Sequence, residues 1–412
     1  MKENKTDHVK QVVDAIKYIA NELEIHPQEV KKNDVLNIVT DWTLKRAGSI
    51  TAIKNAYFPV DEKDLAGITK TKNQASYIDR LESRLGTNGI TEQKLEDIIS
   101  KIPKIKLVNK IKVSKKQKIK RELNLVLSDL HIGSDILKSQ TGNLDFGRTE
   151  ESRRLAKVIK DTCNYKKQYR KETKLNVLLL GDIVQNQLHD PRDGAPMAEQ
   201  CGRAIYLLSQ AIGQLALNFL SIEIHCNFGN HARITSRHHS RAVNQKWDNF
   251  ETIVYYGLRE VFKAHKHVKF VIPKTPYVTY SVFGKKIFAS HGDTVLNVGY
   301  PGKAINTGKL ETQANRFNAG LKDTQEYSVF ITGHVHVGSI THLSNGAVMI
   351  TNGALVPPDE FAVSIGLTET ASGQYIFEST EGYPVGDCRY IKVGLDDDND
   401  SSLDSIIKPW ED

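Results

Sequence analysis

LNLVLSDLHIG, residues 123–133, joins an apolar β-type run to two side chains with metal-binding chemistry. Residues 123–127 read as a buried strand, and Asp129 and His131 follow where that strand must end. The pattern repeats outward along the chain. Residues 175–180 run into Asp182, 222–226 lead to Asn230 and His231, 287–289 precede His291, and 329–332 precede His334 and His336. Two further strand-like runs cover 268–272 and 277–282, with more β-type sequence beyond Ala347, and helical patterns cover 150–171, 195–218, 247–265 and 301–321. Strands alternating with helices predict a layered α/β architecture, with helices covering a sheet or sheet pair. Ligands of such sheets collect at the carboxyl ends of the strands, where these polar groups stand.

The length, 412 residues, implies two to three domains at about 150 residues each. With 39% hydrophobic and 25% charged residues the composition is that of a soluble globular protein and excludes fibrous and disordered classes. Cys163, Cys201, Cys226 and Cys388 are scattered without CxxC spacing, so a reducing compartment is expected. The charged N-terminus and the lack of a long apolar run lead us to expect a cytoplasmic protein with no membrane partner.

Four regions are expected: a helical module at 1–75, a basic linker or hairpin at 76–121, the α/β domain at 122–394 and an acidic tail at 395–412. In the first, apolar residues at helical spacing and a Gly48-Ser49 break suggest a helix-turn-helix that presents Thr51, Lys54, Asn55 and Tyr57 to DNA. A helical packing or dimerisation module is the alternative. Residues 101–121 hold ten Lys or Arg and no acid, a density that neutralises phosphates or forms a solvated tether. The tail holds seven acids and one lysine, so the +7 of the whole chain conceals +13 elsewhere. Its Ile406, Ile407 and Trp410 suit it to recruit a protein partner, to fold back on the chain or to solubilise it.

Two carboxylates, one carboxamide and five imidazoles suffice to hold two divalent cations. Cations about 3.5–4 Å apart need a shared carboxylate between them, polarise a phosphoryl oxygen together and activate a bridging water for in-line attack. A histidine outside the metal shell can protonate the leaving oxygen.

The order DxH, GD, GNH, H and GHxH, spanning residues 123–354, resembles the calcineurin-like metallophosphoesterase superfamily. The resemblance implies a four-layer double β-sandwich flanked by helices, here with a small N-terminal helical domain. It also implies two divalent metal ions, Mn first, with Fe, Zn or Ni as alternatives. Asp129, His131 and His336 would bind one metal and Asn230, His291 and His334 the other, with Asp182 bridging and His231 as the non-ligand catalytic histidine. Asp293 would be a turn residue or one that orients a ligand. Gln185 and Asn186 stand where the serine/threonine phosphatase branch carries Asp and Arg, and Ala232 and Arg233 stand where SbcD-like repair nucleases carry an acid. GNH running into Arg233, behind extra N-terminal helices, resembles bacteriophage metallophosphoesterases.

The expected activity is phosphodiester hydrolysis, with DNA as the partner and the molecule a nuclease. Arg233 and Arg237 are the expected phosphate contacts, beside His238, His239, Arg241 and Lys246. A phosphomonoesterase or cyclic-nucleotide phosphodiesterase with the same metal site is the alternative. A DNA-binding module with an inactive core would require a substituted ligand, and none is substituted.

Overall fold

The computed structural model describes residues 5–22, 27, 30, 32–36, 38–40, 43, 45, 47, 49–58, 100–102, 121–142, 145–167, 174–186, 194–234, 246–300, 305–322, 325–364, 372–394 and 400–411. The chain divides into two units, residues 1–89 and 90–412. The expected boundary at 75/76, residues 103–120 of the basic segment, Arg237 and 395–399 of the tail lie outside the described residues.

In the first unit, α1 (Lys5–Glu22), α2 (Lys32–Leu36) and α3 (Ile50–Tyr57) bury their apolar stripes together. Val12, Ile16 and Ile19 meet Val30, Val35 and Ile53, the contact that helical periodicity demands. The Ser49 hydroxyl accepts from the Ala52 N–H at 3.4 Å and caps α3. Lys54 corrects the DNA-facing expectation. It lies one helical turn from Ile50, on the inward face, where it is buried and its Nζ donates to the Val30 carbonyl. Thr51 and Tyr57 are exposed.

The second unit begins with β1 (Arg121–Leu127), α4 (Arg148–Lys167), β2 (Lys174–Leu179), α5 (Met197–Asn218), β3 (Ser221–Cys226), α6 (Glu251–Val261) and β4 (Val268–Val271). It continues with β5 (Val278–Val282), β6 (Lys285–Ala289), α7 (Thr307–Asn318), β7 (Tyr327–Thr332), β8 (Ser339–His342), β9 (Val348–Thr351), β10 (Gly373–Thr380) and β11 (Cys388–Lys392). One sheet runs β11-β10-β1-β2-β3-β4 with β1 to β4 parallel, and the other runs β5-β6-β7-β9-β8. The period of two sorts their side chains. Leu123, Leu125 and Leu127 face the helical layer, while Val126 and Leu178 point the other way to meet Ile287, Val329 and Ile350 of the second sheet. Phe288, Phe330 and Met349 then bury against Leu310 and Ala314 of α7. Helices, sheet, sheet and helix make the expected four-layer α/β sandwich.

Residues 400–411 complete the helical layer. Leu403, Ile407 and Trp410 are 0%, 1% and 4% exposed, and the Trp410 ring stands edge-on to Tyr206 at 5.3 Å. The Gln210 side chain accepts from the Lys408 N–H at 2.9 Å and donates to its carbonyl at 3.2 Å. Ile407 and Trp410, expected to tip a partner-recruiting tail, are thus covered by the chain's own helices. Apolar burial outweighs the acidity of the segment, whose Asp400 pairs with Lys160. Leu403→Ala should cost about 2–5 kcal/mol in urea unfolding; a loss under about 1 kcal/mol would show that this segment is not part of the core.

Candidate metal centre

Each motif occupies the loop leaving a strand at one edge of the two sheets: DxH after β1, GD after β2, GNH after β3, His291 after β6 and GHxH after β7. These loops are tight enough to need unusual backbone. Asp129, His131, Asp182, His334 and His336 all have positive φ, between 48° and 75°, and account for five of the eight such non-glycine residues among those described. Left-handed backbone at non-glycine residues costs roughly 1–3 kcal/mol each and turns the side chain toward a point a continuing strand could not reach. Close approach dictates the neighbouring glycines: a Cβ on Gly229 would stand 2.1 Å from Asp182 Oδ1, and one on Gly333 would stand 2.5 Å from Asp129 Oδ2.

The loops bring the expected ligands into three overlapping groups: Asp129, His131 and His336; His131, Asp182 and His231; Asp182, His291 and His334. Within each, the ligand atoms lie within 4.8 Å of one another. Asp182 and His131 each belong to two groups, and Asp182 stands between His131 on one side and His291 and His334 on the other, the position a bridging carboxylate needs. Asn230 joins through Oδ1, 3.0 Å from His291 Nε2. Asp129, His131, Asp182 and His291 are buried, while Asn230, His231, His334 and His336 are partly open to solvent.

The hydrogen bonds fix which ring nitrogens face inward. His291 Nδ1 donates to the Leu180 carbonyl at 2.8 Å, so Nε2 is the nitrogen turned toward Asp182 Oδ2 and Asn230 Oδ1, each 3.0 Å away. His131 Nδ1 lies 2.5 Å from the Gln185 Oε1 acceptor, leaving Nε2 toward His336 Nε2 at 3.3 Å. Acceptors converging without a donor repel one another unless a cation or a proton sits among them. Mixed carboxylate, carboxamide and imidazole donors suit Mn, Fe, Zn or Ni, so the residues present fit two divalent cations.

Charge follows the same layout. Burial, with His231 and His336 adding to it, lowers His131 to about 3. Burial and then His291 lower His334 to about 4, so both rings present neutral lone pairs. Burial also resists charge on His291, but the Asp182 carboxylate outweighs it and raises the ring to about 9. The reciprocal attraction, against burial, holds Asp182 well below the usual carboxylate range.

His231 stands apart in its bonding. Its Nδ1 is 2.9 Å from the Gln185 carbonyl and its backbone N–H donates to Asp182 Oδ1 at 2.8 Å. Its ring meets that of His131 edge-on at 4.5 Å, at the partly open side of the centre. Arg233 donates to the Asn230 carbonyl at 3.1 Å. Lys246 corrects an expectation: rather than reaching for phosphate it is buried, where its Nζ pairs with Asp293 and helps hold that carboxyl below its ordinary range against burial.

Sequence reading missed four supports. Gln185 holds His131 with its side chain and His231 with its carbonyl, and Asn186 Nδ2 donates to the carbonyls of His231 and Arg233. Glu151, paired with Arg203 at 2.8 Å, accepts from the Gly133 N–H, and Glu251 accepts from the N–H groups of Ile183 and Gly229. The two glutamates begin helices, where an acid reads simply as a partner for the helix dipole.

A pH dependence follows from His291. Its ring holds a second proton below about 9, and a cation on the same lone pair must displace it. Divalent-cation affinity should therefore rise by up to about tenfold per pH unit as pH climbs toward about 9, then level off. Calorimetry in buffers of different ionisation heats counts the released proton; pH-independent affinity without proton release would place the cation elsewhere.

No family model matches the sequence, and neither does any curated protein. Solved structures with some likeness include a mutant Vps29 from Entamoeba histolytica, at 12% identity, covering 66% of this chain and 99% of that one, with a TM-score of 0.28. A dimetal phosphatase from Danio rerio has 12% identity, 66% and 99% coverage and a TM-score of 0.30. The calcineurin-like phosphoesterase YfkN from Bacillus subtilis has 12% identity, 66% and 90% coverage and a TM-score of 0.31. At such scores the chain's own residues must carry the assignment. Five motifs occur in the expected order, each on the loop leaving its strand, and all converge between two facing sheets.

Proposed function

We propose that the chain is a dinuclear-metal-dependent phosphoesterase, a hydrolase of phosphoric esters, and that it cleaves phosphodiester bonds in DNA. The observation that supports the reading is the position of Asp182, within ligand distance of His131 on one side and of His291 and His334 on the other. Two divalent cations, Mn in our reading, would supply Lewis-acid polarisation of a phosphoryl oxygen and a nucleophile at neutral pH. Asp129, His131 and His336 would hold one, Asn230, His291 and His334 the other, with Asp182 common to both.

The remaining work falls to side chains. Gln185 pins His231 through Nδ1, so the ring's Nε2 is the atom that delivers a proton to the leaving oxygen. Its place at the partly open side of the centre suits that role. Arg233, tied to the Asn230 carbonyl, braces the loop that carries both residues.

The DNA reading draws on the +13 charge outside the acidic end, the ten cations of residues 101–121, and Arg233 and Arg237, which follow His231 in the sequence. Phosphomonoesters or cyclic nucleotides are the second reading, favoured by the burial of Lys54 and Lys246 in internal contacts. We place the activity in the cytoplasm; among the described residues no helix is long and apolar enough to cross a membrane.

Cleavage of end-labelled single- and double-stranded DNA with Mn tests the proposal beside a chromogenic phosphodiester. Asp182→Ala should abolish both metal binding and turnover, and His231→Ala should keep the metal while slowing turnover by roughly 10²–10⁴-fold. Full turnover in either variant would sink the site assignment. Hydrolysis of the chromogenic ester without DNA cleavage would move the substrate to small phosphoesters.

A further inference from the structure

Glu251 opens α6 and is completely buried. Its two carboxylate oxygens serve different loops. Oε1 accepts from the N–H of Ile183, which follows Asp182, and Oε2 accepts from the N–H of Gly229, which precedes Asn230, each at 2.8 Å. The Asn249 side chain accepts from the Glu251 N–H at 2.9 Å and fixes where the carboxylate begins.

The other buried acids around the centre have counter-charges. Glu151 has Arg203 at 2.8 Å and Asp293 has Lys246. Glu251 forms no ion pair with Lys or Arg among the described residues; the Tyr255 hydroxyl stands 3.5 Å from its Oε2, and His291 is the charge that favours its ionised form. Burial, with the nearby Asp182 carboxylate adding to it, raises its carboxyl to about 7. A buried carboxylate without a counter-ion costs several kcal/mol, and a neutral residue would be cheaper if it could do the same work. It cannot: a glutamine must turn its NH2 toward one of the two N–H donors, leaving that donor unmatched.

The two loops need such a clamp. The backbone at Gly181 and Gly229 approaches so closely that a Cβ on Gly181 would stand 2.3 Å from the Gly229 nitrogen. Asp182 arrives from one loop and Asn230 from the other, and both face His291 Nε2 at 3.0 Å. Only loops held in register keep those three groups converged.

We infer that Glu251 is a positioning residue for this centre: by bonding both loops at once it sets the spacing of Asp182 from Asn230 and so the capacity to hold the second cation. The inference rests on the two-cation reading above.

The test is Mn²⁺ binding by the full chain, followed calorimetrically for wild type and Glu251→Gln, together with kcat and KM for a chromogenic phosphodiester. Wild type should take up two Mn²⁺. The variant should keep one site at near wild-type affinity and weaken the other by about 10–100-fold, with kcat falling while KM stays within about twofold. A merely structural role would lower the melting temperature and leave both affinities and kcat of the folded protein unchanged, which would overturn the inference. Should Glu251→Gln fail to fold, Glu251→Asp keeps the charge but lacks the reach to span both loops, and the same loss is expected; two unchanged sites there would overturn the inference equally. Wild-type protein that binds fewer than two Mn²⁺ would defeat the two-cation reading itself and this inference with it.

Discussion

Asp182 is the constraint on which the rest of the molecule depends. Its carboxylate is buried at the end of a parallel strand, held by the His231 N–H on one oxygen and faced by His291 on the other. A charge so placed is tolerated only when its surroundings are built for it. The left-handed turns at Asp129, His131, Asp182, His334 and His336 each spend conformational energy to aim a side chain inward. The large apolar layers on both sides of the first sheet stabilise the fold enough to offset that strain.

The sheets converge on the centre through polar ties as well as apolar packing. At the end of β1, the Ser128 N–H donates to the Gln374 side chain of β10 at 2.9 Å, and Asn352, just past β9, donates to both Ser128 and Gln374. Asn352 also accepts from the Tyr375 N–H at 2.9 Å, so the network spans both sheets beneath Asp129. Buried polar networks of this kind fix a unique arrangement when every member is satisfied. The separation of His131, carried by the first sheet, from His336, carried by the second, is thereby set by backbone rather than by flexible side chains.

Most of this was legible in the sequence. Apolar runs ending in Asp, Asn and His marked the strands and their carboxyl ends together, because burial on both faces keeps a parallel strand mostly apolar until it stops. What stayed illegible shares a cause: a residue whose partner is distant in sequence leaves no local pattern. Lys246 stands among cations in a basic stretch, but its ion pair with Asp293 spans 47 residues, and Lys54 hides in an apolar stripe that a helical wheel alone does not penalise. The end of the chain misled for a related reason. Acids dominate residues 395–412 by count, yet three apolar side chains at well-chosen positions decide where it packs.

Part of the formal positive charge is therefore not available to a binding partner. Arg203, Arg154, Lys246 and Lys54 all lie buried in internal bonds: Arg203 and Lys246 neutralise Glu151 and Asp293, while Arg154 Nη1 donates to the Leu355 carbonyl and Lys54 to that of Val30. Their charges count toward the formal +7 while bracing loops and helices from within. The charge a substrate meets is the local one at the centre. There, Asp129 and Asp182 are the carboxylates among the expected ligands, and two divalent cations would leave an excess of positive charge where the partly open His231, His334 and His336 face solvent. Such a surface would draw in phosphate whatever ester it belongs to. In the proposed phosphoesterase, discrimination between a polymer and a small phosphoester would rest on the loops that follow the ligands, where Arg233 stands two residues after His231.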